Sequence, residues 1–370
     1  MSDRAISVEV TRIPTRGPGD VSGLVRLIET GGLDPASILA VLGKTEGNGG
    51  VNDFTREYAL AALREALAPH LHLPPREVDD RIAFVMSGGT EGVLSPHLTV
   101  FTRSFGANGE NPASAGKRLS VGIAHTRDFL PEEIGRQAQI DETFNAVHRA
   151  MTDAGIADRA DVHFVQIKCP LLTSERIEGA LHRGHNTVTA GAYSSMGYSR
   201  GASALGVAAA LGELKVKACE DQVLKDWELF SSVASSSAGI ELMHNVVIVM
   251  GNSPASRSRF VIGHAVMRDS IDLDAVVEAL RSVGLAAGDA QTQGRLVNIF
   301  AKAEASPDGI VRGFRHTMLD DSDVGSTRHA RAAVGGLIAG LSGTGAVYVS
   351  GGAEHQGPPG GGPVAVIARA

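Results

Sequence analysis

A short pattern, Ser-small-Gly-x-Glu, occurs three times in the chain: Ser87-Gly88-Gly89-Thr90-Glu91, Ser237-Ala238-Gly239-Ile240-Glu241 and Ser350-Gly351-Gly352-Ala353-Glu354. The first and third copies directly follow apolar runs, 82–85 and 346–349, that read as strands. A strand that ends in Ser-Gly presents a hydroxyl at its tip, and the small residues after it let a ligand approach the backbone N–H groups closely. Three such tips in one chain call for three related segments whose strand ends converge on one place.

Two further marks repeat in the same order. A lysine ends an earlier strand in each segment, at Lys44, Lys168 and Lys302, and a hydroxyl-Arg pair follows it, at Thr55-Arg56, Ser199-Arg200 and Thr327-Arg328. Each pair is expected to begin a helix, with the hydroxyl residue as N-cap and the arginine in the first turn. Each segment then reads strand, helix, strand with Lys, loop, helix with Arg, strand with Ser. The Gly-, Asn- and Pro-rich stretch 106–117 reads as a linker. The expected organisation is segment 1–105, linker 106–117, segment 118–252 and segment 253–370. The gaps between the marks differ, so this is divergent repetition and not a short solenoid period. The expected class is α/β, with three repeats around a pseudo-threefold axis.

Composition excludes several functions. A formal charge of −7 leaves no basic footprint for nucleic acid. No run of 18 apolar residues exists, so no membrane span is expected. Two cysteines, Cys169 and Cys219, cannot build a disulfide framework and have no metal-type spacing. With no basic-then-apolar start at residues 1–10, a reducing, cytoplasmic location is expected. No organic cofactor motif is found, since Gly47-Asn48-Gly49-Gly50 lacks the Lys-Ser/Thr ending of a phosphate loop.

A serine needs a base to become a nucleophile. No histidine stands in register with the three serines, whereas a lysine does in every segment. A lysine held near other cations and away from water has a lowered pKa and can take that role. Peptide N–H groups at the Ser-Gly and Ser-Ala steps suit a carbonyl or oxyanion. The matching ligand is small, flat and electron-rich, with three carbonyl-like edges. Glu91, Glu241 and Glu354 are expected to orient lysines or arginines. The run 351–362, rich in Gly and Pro, is expected to wrap as a fixed loop. Its carbonyls together with Glu304 would suit a hard cation, Mg²⁺ or Ca²⁺, although a loop packed without metal is equally compatible.

These residues resemble the cyanuric acid hydrolase/barbiturase family of ring-opening amidohydrolases. The resemblance rests on Lys44-Thr-Glu-Gly-Asn-Gly-Gly, Ser235-Ser-Ser-Ala-Gly-Ile-Glu-Leu-Met-His-Asn, Arg315-His-Thr-Met-Leu-Asp-Asp-Ser-Asp, Thr327-Arg-His-Ala-Arg-Ala and the long stretch 349–366. It implies three units with an inner β-barrel and helices outside, and one site on the axis in which Ser237 is the nucleophile and Lys168 the base. Arg56, Arg200, Arg328, Lys44, Lys302 and the pairs Ser87-Gly88, Ser237-Ala238 and Ser350-Gly351 would bind substrate. Adjacent serines leave Ser236 and Ser237 both open. Ser237 is chosen because Gly239 and Glu241 then align with Gly89 and Glu91, and with Gly352 and Glu354. The resemblance also implies a cyclic imide substrate, cyanuric or barbituric acid, and a homo-oligomer, tetrameric in the family. A structural Mg²⁺ would be held by Glu304 and the carbonyls of Ala353, Gln356, Gly357, Pro358 and Gly361.

Overall fold

The computed structural model describes residues 5–106, 116–215 and 217–370. Most of the expected linker 106–117 lies outside the described residues. Three four-stranded sheets form the body of the molecule, and all three have the same internal order. The first contains β1 (Ala5–Pro14), β2 (Ile38–Thr45), β3 (Ala83–Gly88) and β4 (His97–Gly106), with α1 (Ser22–Glu29) and α2 (Phe54–Leu71). The second contains β5 (Arg118–His125), β6 (Val162–Pro170), β7 (Ala234–Gly239) and β8 (Val246–Ser253), with α3 (Gln137–Asp153), α4 (Ser174–His182) and α5 (Ala192–Leu211). The third contains β9 (Phe260–Met267) and β10 (Leu296–Ala303), then β13 (Tyr348–Gly351) and β14 (Gly362–Arg369). A separate hairpin, β11 (Ile310–Val311) and β12 (Phe314–Arg315), lies between β10 and β13 in sequence, and α6 (Leu273–Ser282), α7 (Ala290–Arg295) and α8 (Ser326–Ser342) complete this part.

In each sheet the first strand pairs antiparallel with the fourth, the fourth pairs antiparallel with the second, and the second pairs parallel with the third. A register irregularity recurs at one place in the second strand: between Ile38 and Ala40, Val162 and Phe164, and Leu296 and Asn298. Each irregularity begins six residues before Lys44, Lys168 or Lys302. The fourth strands include two, β4 and β14, for which the sequence reading had no element.

Strand alternation divides the residues between two layers. Along β2, Ala40 and Leu42 enter a cluster that also holds Phe101, Val121, Phe164, Ile248, Ile262, Phe300 and Tyr348, drawn from all three sheets. The intervening Val41 packs outward on Leu60, Leu63 and Leu67 of α2. Equivalent outer clusters join α3 and α5 to the second sheet and α6 and α8 to the third. The inner faces therefore meet one another and the helices cover the outer faces. No hydrogen-bonded ladder closes the sheets into the expected barrel. Among the described residues they are three separate ladders, with an isolated bridge between Ile6 and Ser256. No helix among the described residues is long and apolar enough to cross a membrane.

Candidate active site

The parity that sends Leu42, Phe164 and Phe300 inward also sends the residues at the strand tips inward. Lys44 is the register partner of Ser87, Lys168 of Ser237, and Lys302 of Ser350, each pair on neighbouring parallel strands. The three tips meet. Ser87 Oγ donates to Ser350 Oγ at 3.4 Å, and Ser237 Oγ shares a hydrogen bond with Ser350 Oγ at 3.1 Å. A small polar pocket there is lined by these serines, by Gly88, Ala238 and Gly351, and by Arg56, Arg200 and Arg331. Parity also separates the adjacent serines: Ser237 lines the pocket, while the Ser236 hydroxyl is buried away from it without a partner.

Beneath the hydroxyls lie the three lysines, each at most 1% exposed. Lys44 Nζ donates to Ser87 Oγ at 3.2 Å, and Lys302 Nζ to Ser350 Oγ at 3.4 Å and Gly351 O at 2.9 Å. Lys168 Nζ donates to Met86 O at 2.8 Å, as Lys302 Nζ does to Ser236 O at 2.8 Å, but it differs in ion-pairing with Glu241 Oε1 at 2.8 Å. Burial lowers the pKa of all three. Arg331 pushes Lys44 further down, and Arg200 does the same to Lys302, which falls to about 7. For Lys168, Arg56 adds to the effect of burial and the Glu241 carboxylate opposes it.

The arginines link one sheet to the next in cyclic order. Arg56 of α2 donates to Ala238 O of the second sheet at 2.9 Å. Arg200 of α5 makes a two-point bond with Glu354 after the third sheet, at 2.7 and 2.6 Å. Arg331 of α8 does the same with Glu91 after the first, at 2.8 and 2.6 Å. Gly89 and Gly352 take φ values of +112° and +77°, and a Cβ at either would collide with the guanidinium stacked across it.

Several expectations are corrected here. Arg328 does not line the pocket; its side chain is 43% exposed and holds Glu91 from outside. Arg331, three residues on, is the buried one. It shares the stripe of Val334, Gly335 and Ile338 on α8, so helical spacing could have found it. The hydroxyl residues do not cap their helices. Asp53 caps α2 through Thr55 N, and Gly325 precedes α8. Ser199 sits mid-helix, buried, and accepts from Gln139 Nε2. Met196, which also lines the pocket, carried no motif signal, and Gly49, another lining residue, was read only as part of the 44–50 motif without a site role. Cys169 is buried with its thiol pKa raised by desolvation, which fits packing and not nucleophilic attack.

Residues 9–369 match the family described as amidohydrolase ring-opening protein. The chain belongs to this family. It is 72% identical to a cyanuric acid amidohydrolase of Bradyrhizobium diazoefficiens, over 99% of both chains. It is 62% identical to one of Pseudomonas sp. strain ADP, over 98% of this chain and 99% of the other. A solved cyanuric acid hydrolase structure superposes with a TM-score of 0.95 at 61% identity, covering 99% of this chain and 100% of that one. A second, from A. caulinodans, gives 0.90 at 49% identity, over 98% and 99%.

The loop after Ser350 offers oxygen donors to a cation. Gly360 packs on Ser306 and Gly362 on Lys302, so the loop runs along the end of β10, where Glu304 lies. Among the described residues no cation is ion-paired with Glu304. Burial and the nearby Glu354 carboxylate raise its pKa, with Arg200 and the Thr327 hydroxyl opposing them in part. Main-chain oxygens with one such carboxylate fit a hard cation. No cluster of three His, Cys, Asp or Glu that could hold a metal ion exists among the described residues.

Proposed function

We propose that the protein opens the ring of cyanuric acid by hydrolysing one amide C–N bond, with Ser237 as nucleophile and Lys168 as base. The observation that carries this reading is the threefold recurrence of a Lys–Ser register pair whose hydroxyls meet within 3.4 Å, a match for a flat ring with three equivalent carbonyl edges. Neutral Lys168 takes the Ser237 proton as Oγ bonds to a ring carbonyl carbon. The carbonyl oxygen then carries the negative charge, which backbone N–H groups at the strand tips and the arginines offset. Collapse breaks the C–N bond as Lys168 passes its proton to the departing ring nitrogen, which leaves an acyl-enzyme, and water releases carboxybiuret, which loses CO₂ to give biuret. The other two serine tips hold the remaining carbonyls in register.

The same reading takes residues 1–105, 118–252 and 253–370 as repeats about a pseudo-threefold axis, with the site on that axis. It includes a homotetramer and a structural Mg²⁺ or Ca²⁺, with Glu304 and the carbonyls of Ala353, Gln356, Gly357, Pro358 and Gly361 as its holders. That cation would neutralise Glu304 and fix the loop. The test is turnover of cyanuric and barbituric acid side by side, with biuret and CO₂ as readout. Wild-type opening of cyanuric acid and loss of at least about a thousandfold in Ser237→Ala are expected. Near-normal turnover by Ser237→Ala would refute the assignment.

A further inference from the structure

The three repeats differ at one contact. Glu354 holds Arg200 and Glu91 holds Arg331, each through two hydrogen bonds, and the lysines of those two sheets are left to bond serine hydroxyls. By the same cyclic pattern Glu241 would hold Arg56. It holds Lys168 instead. Two buried polar atoms are left without a hydrogen bond: Glu241 Oε2, and Arg56 Nε, which keeps only a longer ion pair with Asp53 Oδ2 at 3.8 Å. In the other two repeats the equivalent atoms bond each other. Gly239 also departs from its counterparts, since Gly89 and Gly352 have positive φ and Gly239 does not.

We propose that Glu241 is a two-position carboxylate, resting on Lys168 and moving to the Arg56 guanidinium when substrate enters, so that Lys168 is freed to serve Ser237. The first and third repeats display the arrangement reached after the move, with carboxylate on arginine and lysine on serine. Gly239 gives the backbone freedom to take up the φ of its counterparts. The proposal rests on the functional reading above and makes Glu241 a positioning residue within it.

The proton balance is simple. In the resting pair Lys168 is an ammonium and Glu241 a carboxylate. Once the carboxylate leaves, a buried ammonium beside Arg56 gives its proton to water, and the neutral amine then accepts the Ser237 proton. Glu241 and Met86, the two partners of Lys168, form part of the wall of a cavity of about 590 Å³ between α2, β3 and the segment after β7, and the proton would leave on that side. Arg64 and Asp79 on its rim are about one third exposed. The charged groups facing Glu241 are Lys168 and Arg56 directly, with Arg64 and Arg176 farther off. Cys169 neighbours Lys168, and Asp80, His125, Asp128 and His244 line the outer cavity.

The test applies one change to all three repeats: Glu241→Gln, Glu91→Gln and Glu354→Gln, each assayed for kcat/KM on cyanuric acid against pH, with thermal melting as a check on folding. Glu241 raises the Lys168 pKa, so removing its charge lets the amine go neutral at lower pH. The acid limb of Glu241→Gln is expected to move down by about one pH unit or more. In the other two variants, whose carboxylates hold arginines, the limb should stay in place while kcat/KM falls. An unmoved or upward limb in Glu241→Gln, or equal movement in all three, overturns the proposal. Should Glu241→Gln fold without activity, a crystal structure of Ser237→Ala with cyanuric acid bound decides. Glu241 on Arg56 Nε supports the transfer, and Glu241 still on Lys168 overturns it. Absence of turnover by the wild type counts against the functional reading and is seen before any variant is compared.

Discussion

Arg328 and Arg331 both reach Glu91, yet only one is in a position to touch a ligand. Arg331 is buried in the pocket wall with two hydrogen bonds to the carboxylate, whereas Arg328 makes a single bond from a half-exposed position. A charge-assisted bond away from water contributes about 1.5–3 kcal/mol, and an exposed ion pair at most about 1. Arg331→Ala is therefore expected to lower kcat/KM by about 10- to 100-fold, and Arg328→Ala by less than about fivefold. Steady-state kinetics on the two variants checks the ordering. The sequence pointed to Arg328 because hydroxyl-Arg pairs repeat, but a repeated dipeptide says nothing about which helical face is buried. The lysines and serines were legible for the opposite reason. They end strands, where a period of two leaves a side chain only two directions, and both marks recur in the same order in every segment.

Helix boundaries were less legible than helix existence. A proline ordinarily stops a helix, yet α2 runs past Pro69 to Leu71 and ends at His72 with φ +55°. A proline in the last turn removes one hydrogen bond when only a few remain to be made. Similarly, α5 begins at Ala192, inside the polar, Gly- and Ser-rich stretch 184–197, because burial of Ser195, Met196 and Gly197 outweighs weak propensity. The true start signal of α2 is Asp53. Its carboxylate accepts from Thr55 N and from Gly49 N at 2.8 Å, and it lies 3.8 Å from Arg56. One residue thus caps the helix and ties down a glycine of the pocket wall. Asp53→Ala is expected to cost about 1–2 kcal/mol in chemical denaturation, with an accompanying loss of substrate affinity, whereas Asp53→Asn retains most of the cap.

At the scale of the whole molecule, the fourth strand of each sheet sits between its first and second strands. In the third sheet that strand is β14, at the end of the chain, and Val364, Val366 and Ala368 enter the outer core while Ala365 and Ile367 enter the shared one. Removing residues 362–370 should therefore abolish soluble folded protein, read by yield and circular dichroism, where trimming a peripheral tail would not. A second consequence concerns acid. His163 of β6 and His264 of β9 share a hydrogen bond between Nδ1 atoms at 2.9 Å across the second and third sheets. Burial, with His163 beside it, lowers the His264 pKa from 6.5 to about 4. In that window the unfolded chain binds a proton that the folded one refuses, so stability falls as pH drops from 6.5 towards 4. His264→Gln should flatten the decline in melting temperature over the same range. The sequence by itself determined the repeated marks, the strand tips that carry them and the excess of cations they bring, because these follow from local periodicity and residue type. Only the tertiary structure decided that the sheets stay as three separate ladders, that Arg331 replaces Arg328, and that Glu241 grips a lysine where its counterparts grip arginines. Each of those choices depends on which groups meet across segments far apart in the chain, and no local pattern records such a meeting.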